Sequence, residues 1–179
     1  MQKAHRHFVL AVIFFIVALA GAAYCSYPEH MTVKFPDGSV IELPATCPVC
    51  GMRIYSNSEL VAAIVLSNGK VLAFDSIAEF FQYLLSPDTF GFKPQDLKNL
   101  FVMAEDSKKY INAKDAVYTI GQEQGYIRSL APEMEAFSNQ EAAAKFISGE
   151  KEAKIRAFSQ VTLQDVVLKK KNLLWLDKD

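Results

Sequence analysis

The sequence predicts an α+β protein made of two related β-β-α-β modules behind an N-terminal signal or anchor helix. Three observations support this prediction. An apolar segment opens the chain, residues 60–104 carry a hairpin pattern followed by an amphipathic helix and a strand, and residues 115–163 repeat that order more faintly. With 179 residues, 51% of them hydrophobic and 22% charged, the chain is long and apolar enough to bury a core.

The first 25 residues are predicted to be a targeting segment. A short basic stretch precedes an apolar run at residues 8–23, which is shorter than the roughly 20 residues of a comfortable spanning helix. The basic stretch places the start on the cytoplasmic side of the membrane. Three fates stay open: cleavage after Ala20 or Ala22, attachment of a lipid to Cys25, and retention as an anchor. Each exports the rest of the chain, so we expect the protein at the periplasmic face of the inner membrane or free in the periplasm.

The overall charge excludes one class of partner. The formal net charge is −1 at pH 7, with 19 Lys and Arg against 20 Asp and Glu. Nucleic-acid binding requires a basic surface that neutralises phosphates. We therefore expect no nucleic-acid partner.

Residues 26–46 are predicted to be a linker that contains a hairpin. Two short apolar stretches, at residues 33–35 and 40–43, flank Pro36-Asp37-Gly38-Ser39, a sequence typical of turns. A six-residue sequence rich in sulfur, residues 47–52, follows directly and opens the first module.

The first module is predicted to cover residues 47–106. An apolar stretch at residues 60–66, a turn at residues 67–70 and a returning strand at residues 71–74 form a hairpin. A helix capped by Asp75 or Ser76 follows, Pro87 ends it, and residues 100–104 form the last strand. The apolar residues of this helix share one face: Ile77, Phe80, Phe81, Leu84 and Leu85.

The second module is predicted to cover residues 107–168, with a solvated tail at residues 169–179. Ala136-Phe137 precedes its helix as Ala73-Phe74 precedes the helix of the first module. Its predicted elements are strands at residues 115–120 and 126–130, a helix at 140–147, an additional helix at 149–157 and a closing strand at 159–163.

The chemistry of the chain is concentrated in Cys47-Pro48-Val49-Cys50-Gly51-Met52. Two thiols and a thioether are soft donors, which select Cu(I) over hard cations. Gly51 lets the chain turn sharply, so that the sulfur of Met52 can lie beside that of Cys50. The alternative is that Met52 fills the core, as most methionines do, and that the cysteines have no role.

Other chemistries fit the cysteine pair less well. A structural disulfide is the default in an exported protein, but this one would close a very small loop and stabilise little. Zinc sites need four ligands, and the folded part offers one cysteine pair and His30. A thioredoxin-like pair belongs at the start of a helix, so redox activity stays an alternative. Hydrolase signatures are absent, and we expect no enzymatic activity.

Additional sulfur ligands are predicted outside the motif. Met134 ranks first, because it lies in a loop-like stretch, residues 131–135, where a core role is less automatic. Met103, in an apolar strand, and His30 with its neighbour Met31 rank lower.

The chain resembles the NosL family of nitrous oxide reductase accessory proteins in three features. These are the Cys-Pro-Val-Cys-Gly-Met motif at residues 47–52, the hairpin over residues 64–74, and Phe74-Asp75-Ser76 before an aromatic-rich helix. The resemblance covers most of residues 46–147. It implies two β-β-α-β modules with a fold related to that of organomercurial lyase.

The resemblance also implies a function and a set of ligands. It implies a periplasmic, usually lipid-anchored Cu(I) chaperone that supplies the copper-sulfide centre of nitrous oxide reductase, with help from a membrane ABC-type partner. Cys50 and Met52 match the family's copper ligands, and Cys47 is the neighbouring thiol. Met134 falls where the family often has a Pro-Met pair, although here the order is Pro-Glu-Met.

A second class of protein stays open as an alternative. The small YHS or TRASH-type metal-binding modules also carry Pro-Val-Cys-Gly-Met, but they typically place another cysteine after the hairpin, in a Phe-Cys-Ser sequence. This chain has Phe74-Asp75-Ser76 there, which favours the chaperone.

Overall fold

The computed structural model describes residues 30–121, 133–150 and 153–167. The targeting segment at residues 1–25, the strand at 126–130 and the tail at 169–179 are predictions that lie outside the described residues. The described helices are all too short or too polar to cross a membrane.

Eleven strands and four helices make up the described part of the chain. In chain order they are β1 (Met31–Lys34), β2 (Val40–Leu43), β3 (Ala45–Thr46), β4 (Arg53–Ile54), β5 (Ala62–Leu66), β6 (Val71–Phe74), α1 (Ile77–Leu85), α2 (Pro87–Phe90), β7 (Leu97–Ala104), β8 (Lys109–Asn112), β9 (Val117–Ile120), β10 (Met134–Phe137), α3 (Gln140–Phe146), β11 (Lys154–Ala157) and α4 (Leu163–Val166).

Two β-β-α-β units share one seven-stranded sheet, as the sequence predicts. In the first unit, β5 and β6 form an antiparallel hairpin, α1 follows, and β7 returns to pair antiparallel with β5. The second unit repeats this arrangement with β9, β10, α3 and β11. A parallel pairing between β10 and β7 joins the two units, and the strand order is β11-β9-β10-β7-β5-β6 with β8 paired to β7.

The first unit matches its predicted elements closely. The strands at residues 62–66 and 71–74 and the helix at Ile77–Leu85 lie where the apolar patterns place them. Ser76 is the helix N-cap, and its hydroxyl accepts a hydrogen bond from the Glu79 amide at 3.5 Å. The predicted hairpin at residues 33–43 is also present as β1 and β2, with Asp37 accepting from the amide of Ser39 in the turn.

The second unit departs from the sequence prediction in three places. The loop predicted around Met134 is strand β10, and the helix predicted at residues 149–157 is wrong because Lys154–Ala157 is strand β11. Pairing with β9 outweighs the helical propensity of that Lys- and Ala-rich segment. The closing strand predicted at residues 159–163 is also wrong, since Phe158–Gln160 is a 3-10 turn followed by α4. Strand β8 was not predicted.

Aromatic packing fixes helix α1 between the two units. Phe80 packs edge-on against Phe74 of β6, with ring centroids 5.7 Å apart, and Phe81 packs edge-on against Tyr118 of β9 at 4.8 Å. All four side chains are buried, and the Tyr118 hydroxyl donates to the carbonyl oxygen of Ala113 at 2.6 Å. The first turn of α1 is therefore held firmly at the end of β6, where the candidate site lies.

Candidate metal centre

The sulfur motif forms the tip of a small hairpin. Strands β3 and β4 pair antiparallel and bring the two ends of residues 47–52 together. The Cys47 amide donates to the Met52 carbonyl oxygen at 2.9 Å, and the Gly51 amide donates to the Cys47 carbonyl oxygen at 3.0 Å. Gly51 has a φ of +77°, in the left-handed region that favours glycine. Backbone geometry thus brings Cys50 back towards Cys47.

Two carboxyl groups complete the cluster. Asp75 follows the last residue of β6, and Glu79 lies in the first turn of α1. The Cys47 thiol donates to Oε2 of Glu79 at 3.4 Å, and the Cys50 thiol donates to Oδ1 of Asp75 at 3.5 Å. One ligand atom from each of the four residues lies within 4.8 Å of the other three, which is the spacing of a metal site.

The cluster spans the boundary between core and solvent. Cys47 is 1% exposed and Glu79 is 3% exposed, whereas Asp75 is half-buried and Cys50 is exposed. A metal held here would therefore have a buried side formed by Cys47 and Glu79 and an accessible side at Cys50.

Burial and the two carboxyl groups keep protons on this cluster. Burial raises the pKa of the Cys47 thiol far above its usual value, and the negative charges of Glu79 and Asp75 add to the effect. The pKa of Cys50 is raised by the same causes. Burial, followed by the hydrogen bond and charge of Asp75, raises the pKa of Glu79 to about 7. A metal ion that binds the sulfurs therefore has to displace protons at neutral pH.

Met52 ends the loop and is 43% exposed. A large apolar side chain with this exposure is not a core residue, so the core-filling alternative for Met52 does not hold. Arg53 and Tyr55, which follow it, are exposed as well, and the Arg53 guanidinium lies 5.7 Å from the centre of the Tyr55 ring.

The other predicted ligands have different surroundings. Met134 is the first residue of β10 and is 6% exposed, within the hydrophobic core. Strand β10 packs against α1, the helix that carries Glu79. Met103 is a half-buried residue of β7, Met31 is a half-buried residue of β1, and His30 is exposed. The role of Met134 as a copper ligand stays a prediction.

Sequence reasoning missed Asp75 and Glu79 as members of the site. Asp75 was expected as a helix cap, and Ser76-Ile77-Ala78-Glu79 has the pattern of a capping box, in which the glutamate bonds back to the cap. The carboxyl group of Glu79 instead accepts a hydrogen bond from Cys47. The signal in the sequence that could have identified Glu79 was a polar residue within the buried face of a helix.

The two carboxyl groups also change the argument about zinc. The cysteines and the histidine of the folded part alone are too few for the four ligands of a zinc site. With Asp75 and Glu79, the cluster offers two sulfur and two oxygen donors, a set of four that zinc also accepts. The described residues therefore form a cluster of potential metal ligands, whose sulfur side suits Cu(I) and whose full donor set suits a borderline cation.

Comparisons with known proteins agree with the fold. The family model NosL matches residues 40–166. The crystal structure of the copper chaperone NosL from Shewanella denitrificans is similar, with a TM-score of 0.54 and 23% sequence identity over 67% of this chain and 91% of that one. Curated protein sequences give no significant match. Because the family model covers well over half of the chain, including the hairpin that carries Cys47, Cys50 and Met52, the protein belongs to the NosL family.

Proposed function

We propose that this protein is an extracytoplasmic Cu(I) metallochaperone that uses Cys50, Met52 and Cys47 as its copper ligands. The observation that carries the proposal is the hairpin tip, which brings two thiols within 4.8 Å of each other in the loop that ends at the exposed Met52. Membership in a family that includes the copper chaperone of Shewanella denitrificans supports it.

The choice of Cu(I) follows from the donors. Thiolate and thioether sulfurs are soft ligands, which select Cu(I) over hard cations such as Mg, Ca and Mn. Cu(I) is satisfied by two or three sulfurs, so Asp75 and Glu79 need not bind it. They accept hydrogen bonds from the two thiols in the metal-free protein, at 3.5 Å and 3.4 Å.

The exposure of the site suits transfer rather than storage. Cys50 and Met52 both face solvent, so a ligand from an acceptor protein can reach a metal held between them. Copper then moves through an intermediate in which donor and acceptor each supply a sulfur or nitrogen ligand. A fully buried site would require the protein to open first.

The acceptor we propose is nitrous oxide reductase, with a membrane ABC-type assembly partner. This assignment rests on family membership. The delivery takes place in the periplasm, with the chain held at the membrane through its N-terminal segment or a lipid on Cys25. Met134, on the strand that packs against α1, is proposed as a further ligand.

A transfer experiment tests this function. The full chain, loaded with one equivalent of Cu(I) without oxygen, is mixed with copper-free nitrous oxide reductase, and copper in each protein is measured after separation. We expect copper to move to the reductase faster than from a small-molecule chelate that sets the same free Cu(I) concentration. The Cys50→Ser variant serves as the control and should give no advantage over the chelate. Transfer no faster than from the chelate would contradict the proposal.

The two carboxyl groups favour a second candidate function, the binding of a divalent cation. The combination of two cysteines, Asp75 and Glu79 within 4.8 Å is the observation behind it. Competition between Zn(II) and Cu(I) for the reduced protein distinguishes the two. Retention of Zn(II) against an equal amount of chelated Cu(I) would favour divalent-cation binding as the function.

A further inference from the structure

Cys47 and Cys50 are two free thiols that lie close together in this structure. Their sulfur atoms lie within 4.8 Å of each other at the two ends of a tight turn. A disulfide requires its two Cα atoms to lie about 4.4–6.8 Å apart, and four-residue turns bring their ends within about 7 Å. Closing the bond therefore needs a side-chain rotation and little backbone movement.

The surroundings of the two sulfurs favour a neutral state when no metal is bound. Asp75 and Glu79 each contact one of the sulfurs, so the cluster packs two carboxyl groups against two potential thiolates. A bound cation neutralises such a cluster. A disulfide carries no charge, so its formation places no negative charge beside the carboxyl groups.

The two cysteines differ sharply in accessibility. Cys47 is buried, and Cys50 is exposed. An external thiol or disulfide can reach the sulfur of Cys50 from solvent. The buried sulfur of Cys47 is shielded from such a reagent and can react with the neighbouring Cys50. The second cysteine of this pair, Cys50, is therefore the point of attack, and the first, Cys47, is not.

We propose that Cys47 and Cys50 form a reversible disulfide in the metal-free protein, and that a thiol–disulfide partner exchanges with it through Cys50. On oxidation, the Cys50 sulfur attacks the partner's disulfide, forms a mixed disulfide and releases one partner thiol. The Cys47 sulfur then attacks Cys50 and releases the second partner thiol. Two electrons and two protons pass from the cysteine pair to the partner, and reduction by a dithiol reverses both steps.

This disulfide has a direct consequence for copper, which rests on the proposed function. The oxidised protein has lost both thiolate ligands and keeps the thioether of Met52. A reaction that reduces the disulfide must therefore precede copper loading, and the reductant must reach Cys50 from solvent. In an oxidising compartment, this makes a dithiol reductant a required partner.

A redox titration tests the proposal on the metal-free full chain. The Cys25→Ser background leaves Cys47 and Cys50 as the two thiols, and mixtures of reduced and oxidised glutathione set the potential. Intact mass after alkylation should show a single two-electron transition to a form lighter by two hydrogens that takes up no alkylating agent. Thiols that stay alkylatable at every glutathione ratio would overturn the proposal.

Two single variants test the direction of attack. In the Cys47→Ser variant, Cys50 should react with oxidised glutathione to form a mixed disulfide. In the Cys50→Ser variant, Cys47 should react on the order of 10-fold or more slowly, because the buried Cys47 reacts only after local opening. Equal rates would overturn the assignment of Cys50. Cu(I) titration of the reduced protein is run alongside: copper binding without disulfide formation refutes this inference alone, and disulfide formation without copper binding refutes the proposed function alone.

Discussion

The Sγ atom of Cys47 lies 3.4 Å from Oε2 of Glu79, and both side chains are almost completely buried. A thiol and a carboxyl group in this position cannot both lose their protons without placing two negative charges in the core. The hairpin tip supplies the thiol and the first turn of α1 supplies the carboxyl group. Protonation of this pair links the stability of the protein, its affinity for metal and the pH.

The first prediction concerns stability of the metal-free protein against pH. The pKa of Glu79 is about 7 in the folded state and about 4.5 in the unfolded state, so the folded state binds more protons between those values. The free energy of unfolding should therefore fall as pH rises from about 4.5 to 7. Urea unfolding at pH 5, 6, 7 and 8 measures it, and Glu79→Gln should flatten the curve.

Glu135 provides a matched control away from the cysteines. Burial, followed by the charge of Glu105, raises its pKa to about 7 as well. Glu135→Gln should flatten the same stability curve, but it should leave the pH dependence of metal binding unchanged. A stability that rises between pH 5 and 8 in the wild type would contradict both assignments.

The second prediction concerns the pH dependence of copper affinity. Both thiols have raised pKa values and are protonated in the metal-free protein at neutral pH, so each Cu(I) displaces up to two thiol protons. The affinity should rise with pH between 6 and 8, by as much as about 100-fold per pH unit when two protons leave. Chelator competition at fixed pH values measures the slope. Cys47→Ser should reduce the slope by about one proton, and a pH-independent affinity would exclude thiolate ligation.

The third prediction uses two glycines with the same backbone conformation. Gly51 and Gly38 have φ values of +77° and +86°, and no atom lies within 4 Å of an added Cβ at either position. An alanine at either position should cost about 1 kcal/mol of stability, measured by urea unfolding. Only Gly51→Ala should also weaken Cu(I) binding, because Gly51 shapes the turn between Cys50 and Met52. Equal copper affinity in the two variants would show that the turn is not required.

The fourth prediction concerns Met134. Met134→Leu keeps the volume of a buried side chain, so it should cost less than about 1.5 kcal/mol of stability. If the sulfur takes part in binding copper, the affinity should fall on the order of 10-fold, while Met103→Leu, in β7, should leave it unchanged. Indistinguishable Cu(I) affinities in the two variants would show that Met134 has only a structural role.

The sequence predicts the first β-β-α-β unit well because its signals are local. The continuous apolar runs of β5 and β6, the Asn68-Gly69 turn and the cap at Ser76 each specify a conformation within a few residues. The second unit lacks such signals. Strand β11 has a helix-prone composition and is a strand because it pairs with β9, more than 30 residues earlier in the chain.

The sequence likewise predicts one part of the site, the sulfur ligands, and not the other, the two carboxyl groups. The sulfur ligands are adjacent in sequence, so their spacing alone predicts a soft-metal site. Asp75 and Glu79 lie 25 and 32 residues after the cysteines they contact, and only the fold brings them together. Sequence spacing carries no information about such a contact.

The most direct test of the central claim is an anaerobic Cu(I) titration of the reduced full chain against a competing chelator. Cys50→Ser and Met52→Leu are measured beside Met103→Leu as the control. We expect one tightly bound Cu(I) per chain in the wild type and the control. Both site variants should lose roughly 100-fold or more in affinity, beyond the 10–100-fold typical of residues that only support a ligand. No tight binding in the reduced wild type, or full affinity in both site variants, would contradict the claim that the hairpin tip is a copper site.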